Sequence, residues 1–247
     1  MIGDVAVVIG GTNNYAKNIN VLLSSILYTN PKLNCIVYCF GWSDELIGSF
    51  SNSHNASFVK VSGPPKMESD VRNNRRSGEA LKLKIKCIHD ALLYSGHHGG
   101  VLWIDADSVV TKNIDPILSV LTSGDIDVIC TRRKHRKEPH EIFALGVVGL
   151  SNSQSATRFI IELKDRVELS KGMNGWFHDQ LEFHNVFVEM KPKLYSLSRE
   201  EHTMKGVQDS MIYSRREVIE LTPSGVASLH GIPIKKIDNL PESIYPV

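Results

Sequence analysis

Val101-Leu102-Trp103-Ile104 is an apolar run that ends in two carboxylates one residue apart, Asp105 and Asp107. Entered from the turn-forming His97-His98-Gly99-Gly100, it reads as a buried strand. Side chains alternate across a strand, so Asp105 and Asp107 are expected to project the same way from its end. Two hard oxygen ligands there suit Mg²⁺ or Mn²⁺, which such sites hold through one or two carboxylates plus substrate phosphates. Open α/β sheets bind ligands at the carboxyl ends of their strands. The feature asks for an α/β fold and points to a metal–diphosphate site.

A second copy, Asp125-Ile126-Asp127, provides a control. It follows Gly124 and precedes the apolar Val128-Ile129-Cys130, so it starts a strand instead of ending one. Its expected role is a turn or cap with solvated carboxylates.

The rest of the chain fits the same class. Val5 to Ile9 reads as a strand, followed by Gly10-Gly11-Thr12-Asn13-Asn14 and a helix with Ile19, Leu22, Leu23, Ile26 and Leu27 on one face. Strands are expected at Cys35–Phe40 and Phe58–Val61, then a long polar loop from Pro64-Pro65 to Gly78. A helix from about Glu79 to Tyr94 carries a core stripe of Leu81, Ile85, Ile88 and Leu92, with Lys82, Lys84 and Lys86 on its polar face. Beyond the strand at Asp127–Cys130, a strand at Phe143–Leu150 and a helix at about Ser155–Leu169 are expected. The loop Gly172–Asp179 leads into a short helix, and short strands are expected near Val186, Leu194 and Val226. The sum is α/β with a mostly parallel sheet flanked by helices.

At 247 residues the chain can bury a large core, and one compact domain is expected. Net charge is only +1, so no global field draws the molecule onto nucleic acid or membrane. No apolar run approaches the ~20 residues of a membrane span. The chain begins almost directly with a strand, so neither a signal peptide nor a transmembrane segment is expected. Cys35, Cys39, Cys87 and Cys130 lack a second Cys/His pair to complete a zinc site. They read as buried free thiols in a reducing, cytoplasmic compartment.

Three separated segments resemble the metal-dependent GT-A glycosyltransferases that use nucleotide sugars. Within them the chain is most similar to the retaining group that includes glycogenin and the bacterial lipopolysaccharide galactosyltransferases. The first segment is Ile9-Gly10-Gly11-Thr12-Asn13-Asn14-Tyr15-Ala16 and the helix through Ser24-Ser25-Ile26-Leu27. The resemblance implies that it holds base and ribose, with Gly10 and Thr12 small beside the ring and Tyr15 stacked on it. Many relatives carry Asp where Thr12 stands. The second is Asp105-Ala106-Asp107 continuing to Asn113-Ile114-Asp115-Pro116. There Asp105 would approach ribose and metal, and Asp107 would chelate the metal. The third is Ser228-Leu229-His230-Gly231-Ile232-Pro233-Ile234-Lys235-Lys236. It resembles a closing His-x-x-Gly-x-x-Lys pattern, with His230 as third metal ligand and Lys235 or Lys236 on the diphosphate. Here Gly231 follows the His directly.

Two further pieces carry the resemblance. Gly175-Trp176-Phe177-His178-Asp179-Gln180 is similar to an Asp-Gln segment beside the donor sugar, which makes Asp179 and Gln180 candidate catalytic residues. A basic residue on the helix before the Asp-x-Asp strand usually meets the donor, and Lys82 or Lys84 could serve. The resemblance thus implies one GT-A domain, with a nucleotide-binding half over 1–130 and an acceptor-side half plus closing segment over 131–247. It implies Mn²⁺ or Mg²⁺ and a nucleoside-diphosphate sugar, UDP-linked. The acceptor is an unspecified glycan, protein, lipid or nucleic acid, and transfer proceeds with retention.

Two other classes compete. A haloacid-dehalogenase-type phosphatase also ends an apolar strand in Asp-x-Asp, with Asp105 as nucleophile and Asp107 as acid/base. No later acidic pair at a strand end stands out to complete it. A non-catalytic nucleotide-sugar or nucleic-acid binding protein is suggested by Arg132-Arg133-Lys134-His135-Arg136-Lys137. That basic run reads as a solvated loop, or as a receiver for an anionic acceptor such as a phosphorylated glycan or DNA.

Overall fold

The computed structural model describes residues 5–62, 76–94, 99–169, 178–203, 210–214, 223–238 and 240, with backbone alone at 76–81. In chain order the elements are β1 (Val5–Thr12), a 3-10 turn (Asn13–Tyr15), α1 (Ala16–Thr29), β2 (Asn34–Phe40), α2 (Asp44–Ser53), β3 (Ser57–Val61), α3 (Arg76–Tyr94), β4 (Gly100–Ile104), β5 (Ser108–Val110), α4 (Asp115–Thr122), β6 (Val128–Arg132), α5 (Pro139–Ile142), β7 (Phe143–Leu150), α6 (Gln154–Leu169), α7 (His178–Met190), β8 (Leu194–Ser196), β9 (His202–Thr203), β10 (Ile212–Ser214) and α8 (Pro223–Leu229). A seven-stranded, mostly parallel sheet in the order β3-β2-β1-β4-β7-β6-β8 is flanked by helices, and β5-β10-β9 form a smaller sheet. This is the α/β class read from the sequence. The expected turn at His97-His98 and most of the loop from Pro64 to Gly78 lie outside the described residues.

The chain divides into two compact units, each assembled from separated segments. One comprises 6–66, 104–117 and 198–247. In it Ala6 to Ile9 of β1 are fully buried, and α1 buries Ile19, Leu22, Leu23 and Ile26 as its periodicity predicts. The same helix buries Asn20, Ser24 and Ser25, which act as hydrogen-bonding brackets. Ser25 Oγ donates to Leu22 O (2.7 Å) and accepts from Val110 N (3.0 Å), fixing β5 against α1.

The helix α2 escapes the sequence pattern because only Leu46 and Phe50 are buried on it. Its start is written locally. Ser43 Oγ accepts from Leu46 N (3.2 Å), and Asp44 and Glu45 occupy the first turn, where the helix dipole favours acids. Val226 lies in a helix, not the expected strand. Pro223 opens α8, as proline does at a first helical turn. Val226 and Ala227 pack with Val21, Val109, Tyr213 and Ile232.

The other unit comprises 1–5, 67–103 and 118–197. Ile85, Ile88 and Leu92 of α3 are buried, and so is Lys84, one turn before Ile88. Lys84 thus sits on the core face, not the polar face expected. Its ammonium donates to the Leu145 carbonyl and lies 5.6 Å from the Trp103 ring centroid, a cation–π contact that offsets its desolvation. The expected α6 buries Ala156, Phe159, Ile160, Leu163 and Val167. Val186 belongs to α7 and not to a strand, because an aromatic cluster holds that segment helical. Phe183 packs on Phe143 and Phe159 (centroids 5.1 Å each), and Phe187 on Phe143 (4.9 Å).

Asp127 corrects another expectation. It is buried, accepting from Ser153 Oγ (2.6 Å) and Lys193 N (2.8 Å), so it brackets β6, the α6 start and the lead into β8. Burial pushes its carboxyl up, but these hydrogen bonds outweigh that and hold it below the usual range. Asp125 stays exposed as expected. All four cysteines are buried free thiols, and burial pushes Cys35 and Cys39 up to about 12 and Cys87 and Cys130 further. Among the described residues no helix is long and apolar enough to cross a membrane.

Candidate active site

The strand β4 stops at Ile104, and Asp105-Ala106-Asp107 forms a turn, closed where Ser108 N donates to Asp105 O (3.1 Å). Asp105 and Asp107 thus stand in a turn and not at alternate positions of a strand. Ala106 is buried, while Asp105 and Asp107 on either side of it are half-exposed. The turn is held from below. Ser108 Oγ bonds Ser214 Oγ (2.6 Å), which meets His202 Nε2 (3.1 Å), all three residues being buried.

Gly11 brings two of the expected segments together. A Cβ at Gly11 would stand 3.1 Å from Tyr15 Cβ, 3.0 Å from Ile19 Cδ1 and 3.7 Å from Ala106 Cβ. The end of β1, the Tyr15 turn and the Asp105–Asp107 turn therefore meet at a position only glycine fills without displacement. Gly11 O also accepts from the buried Trp42 Nε1 (3.0 Å), a contact the sequence did not signal. Beside Gly11, Thr12 Oγ1 and Asn13 Oδ1 are buried with no hydrogen-bond partner. Buried polar atoms are rarely left unsatisfied outside functional sites. Gly10 lies in the buried body of β1 and pairs in register with Tyr38.

The closing segment is fastened to α1 at one residue. Asn20 Nδ2 donates to Lys235 O (2.8 Å), and Lys235 N donates to Ser24 Oγ (3.0 Å). Asn20 Oδ1 is 2.8 Å from His54 Nε2, which must carry the proton because the amide nitrogen is already a donor. Burial, and then the Lys235 charge, push the His54 imidazole down to about 4. The side chains of Lys235 and Lys236 are exposed.

His230 ends α8. Gly231 has φ +64°, Gly231 N donates to Ser228 O (3.0 Å), and Ile232 N donates to Ala227 O (2.9 Å), which is a Schellman cap. The His-Gly adjacency that departs from the family pattern thus serves helix termination. Among the described residues no three His, Cys, Asp or Glu side chains lie close enough to hold a metal ion together. The backbone of His230, expected as third ligand, lies at this cap, its N–H donating to Val226 O (3.2 Å). The half-exposed carboxylates of Asp105 and Asp107 have the hard oxygen chemistry that could hold a divalent ion, with diphosphate oxygens and water completing its shell.

In the other unit, His178, Asp179 and Gln180 open α7 and are buried. Asp179 Oδ1 accepts from Gln180 N (2.9 Å), and Phe183, one turn on, anchors the turn in the aromatic cluster. Burial lowers the His178 pKa; Glu182 opposes the shift and the Lys82 charge reinforces it, which brings half-exposed Lys82 into the electrostatic reach of this helix start. Gly175-Trp176-Phe177 lies outside the described residues.

No family model matches the sequence, and neither does any curated protein. Solved structures do match. The galactosyltransferase LgtC, solved in complex with donor and acceptor sugar analogues, superposes with a TM-score of 0.62 at 15% identity over 96% of this chain and 98% of LgtC. An active-site glutamine-to-glutamate variant of LgtC gives 0.64 at 14% identity. The bifunctional glycosyltransferase WbbM gives 0.61 at 17% identity over 97% of this chain and 50% of WbbM. The glycosyltransferase GlyE of Streptococcus pneumoniae TIGR4 gives 0.53 at 18% identity over 79% of this chain and 45% of GlyE. The chain thus spans about half the length of WbbM and GlyE and nearly all of LgtC. Its fold is the GT-A fold of these glycosyltransferases.

Proposed function

We propose that this protein is a metal-dependent glycosyltransferase that moves a sugar from a nucleoside-diphosphate sugar, UDP-linked, to an acceptor hydroxyl with retention. The observation that carries the proposal is the convergence at Gly11. There Tyr15, two unsatisfied buried oxygens beside Gly11 (Thr12 Oγ1 and Asn13 Oδ1) and Ala106, the residue between Asp105 and Asp107, come together within one unit. A stacking face, hydrogen-bond acceptors and hard oxygen ligands are what a base, a ribose and a metal-bound diphosphate require. The phosphatase alternative leaves the Tyr15 and Thr12 end of β1 without a role.

In the proposed reaction the bond from the anomeric carbon to the diphosphate oxygen breaks, and its electron pair goes to the diphosphate. The acceptor oxygen bonds to the anomeric carbon, and its proton passes to the leaving diphosphate. Asp105 and Asp107 would hold Mn²⁺ or Mg²⁺, which supplies Lewis-acid neutralisation of the leaving-group charge. Tyr15 stacks on the base, and Asp105 also approaches the ribose. Lys235 or Lys236 adds fixed positive charge beside the diphosphate. The backbone clamp of Asn20 and Ser24 on Lys235 sets where both lysines begin, which pre-organises that charge. Lys82 meets the donor, and Asp179 and Gln180 orient the donor sugar.

A thermal-shift panel of nucleoside diphosphates and nucleotide sugars with and without Mn²⁺ tests the donor class. A manganese-dependent rise in Tm with uridine nucleotides is expected. Release of labelled sugar from the responding donor then separates an enzyme from a binder. No response to any nucleotide removes the proposal.

A further inference from the structure

The basic run Arg132 to Lys137 is not the featureless solvated loop that such a run usually is. It forms the connection between β6 and β7, folded back on itself and bracketed at both ends. Arg132 pairs in register with Phe143, and Arg133 N donates to Ile142 O (2.7 Å). Arg136 N donates to Arg133 O (3.2 Å), turning the chain. Two guanidinium groups are spent on holding it. Arg133 Nη1 donates to Glu141 O (3.3 Å), and Arg136 Nη1 to Glu141 Oε2 (3.3 Å). The result is a hollow of about 330 Å³ lined by Arg132, Arg133, Lys134, Arg136 and Ile142. Among the described residues, Arg132, Lys134 and Lys137 form no ion pair.

The charge is concentrated. The chain carries a net +1, yet five of its cations occupy positions 132–137, so the remainder is net acidic. A hollow lined by four cations, two of them without carboxylate partners, offers an anion site. The volume sits at the small end of ligand pockets, roughly 300–1,000 Å³. It suits one phosphorylated sugar. Nucleic acid needs an extended surface, about 1,000 Å² or more of protein, far larger than this hollow.

The hollow is also placed with respect to α7. The helix α5, which contributes Ile142, packs on α7, and Phe143 lies with its ring centroid 6.1 Å from that of His184. The Arg132 charge adds to burial in lowering the His184 pKa, so the two are electrostatic neighbours. His184 follows Gln180 by four residues, on the same helix face and about 6 Å along the axis. His184, the α7 residue that feels the Arg132 charge, therefore stands one helical turn from the residue proposed to orient the donor sugar.

We infer that the hollow between Arg132, Lys134 and Arg136 binds the phosphate of a phosphorylated sugar acceptor, holding its sugar hydroxyl toward the Asp179-Gln180 turn. The acceptor class rests on the glycosyltransferase proposal; the anion site does not.

Glucose 6-phosphate is the probe, titrated into the full chain by calorimetry beside glucose, inorganic phosphate and a short single-stranded oligonucleotide. Glucose 6-phosphate is expected to bind at least tenfold more tightly than glucose or phosphate, and to weaken as salt rises. Arg132→Glu/Lys134→Glu is expected to lose at least tenfold in affinity, while Lys32→Glu, the same charge change at an exposed site elsewhere, loses none. Circular dichroism confirms that each variant is folded. Unchanged affinity in the folded double variant overturns the site. Equal binding of glucose overturns it too, while equal binding of phosphate alone or tighter binding of the oligonucleotide overturns the phosphorylated-sugar assignment. Nucleotide-sugar hydrolysis by the unaltered protein, measured without acceptor, keeps the two proposals apart. Hydrolysis without probe binding sinks the anion site alone. Probe binding lost in Arg132→Glu/Lys134→Glu, with no hydrolysis by the unaltered protein, supports the anion site and sinks the transferase.

Discussion

The side-chain amide of Asn20 donates to the main-chain carbonyl of Lys235 at 2.8 Å, across 215 positions of sequence. Through that one residue α1 controls the segment that carries both candidate diphosphate lysines. The same amide accepts from His54, so the α2 C-terminus, α1 and the closing segment share one buried hydrogen-bonded relay. Asn20→Ala leaves the His54 N–H and the Lys235 carbonyl without their partner, and each unsatisfied buried group costs about 1–3 kcal/mol. Urea unfolding should show a loss in at least that range. Nucleoside-diphosphate affinity in the folded variant should also fall, because Lys235 and Lys236 lose their fixed origin. A stability loss with full affinity would reduce the clamp to a structural tie.

The relay predicts an acid limb in the stability profile. His54 is pushed down to about 4 in the folded state by burial and by Lys235, whereas an unfolded histidine titrates near 6.5. Between those values the unfolded chain binds a proton that the folded chain refuses, so stability rises with pH. The contribution is fully present above about 6.5 and is lost as pH falls toward 4. Denaturation midpoints taken from pH 7.5 to 4 should decline through that window. His54→Gln should flatten this part of the decline; the same slope in both proteins would assign it to other groups.

Long, periodic elements were legible in the sequence: β1, α1, α3, β7 and α6 each declare themselves by apolar spacing. Short elements were not. Val226 and Val186 are β-branched and look like strand residues, but Pro223 with the Gly231 cap, and the Phe143–Phe183 cluster, impose helices there. Tertiary contact overrode local propensity in both places. The Asp105–Asp107 pair was legible because it interrupts an apolar run. The burial of Asp127 was not, since its partners Ser153 and Lys193 lie 26 and 66 residues away. Lys84 was hidden by the habit of placing lysines outside, though its spacing to Ile88 put it on the core face.

The two Asp-x-Asp copies should separate by experiment. Asp107→Ala removes an exposed-side carboxylate from a turn held by Ser108 and Ser214, so the fold should stand while manganese-dependent UDP binding is lost. Asp127→Ala does the opposite. It orphans Ser153 Oγ and Lys193 N, lowers stability by about 1–3 kcal/mol and leaves the affinity of the folded fraction intact. The folded Asp127 carboxyl titrates below its unfolded value of about 3.9, so its contribution is present above that pH and is lost on further acidification. Calorimetry with UDP and Mn²⁺ beside urea titration decides; equal affinity losses in both variants would remove the site from Asp105–Asp107.

Tyr15 sits beside Gly11, where an added Cβ would stand only 3.1 Å from the Tyr15 Cβ. If its ring stacks on the base, Tyr15→Ala should weaken nucleoside-diphosphate binding by roughly 1–3 kcal/mol, while Tyr15→Phe keeps most of the affinity. Full affinity in a folded Tyr15→Ala protein would leave the ring as packing alone.

Asp179 and Gln180 provide the stereochemical test. An inverting transferase needs a carboxylate base on the acceptor side, while a retaining one needs no strong base there. Asp179 is buried and accepts the amide N–H of Gln180, a geometry suited to orienting a sugar and poorly suited to collecting a proton from an incoming hydroxyl. An α-linked donor is therefore expected to give an α-linked product. Asp179→Asn keeps the shape and removes the charge, and Gln180→Ala removes the amide. Each should lower kcat at least tenfold and leave nucleotide affinity within about twofold, because neither residue belongs to the nucleotide site proposed at Gly11. Proton NMR of the product's anomeric signal reads the linkage, and calorimetry reads the nucleotide. A β-linked product would place the chain with inverting enzymes while leaving the Gly11 nucleotide site and the carboxylate pair as they stand.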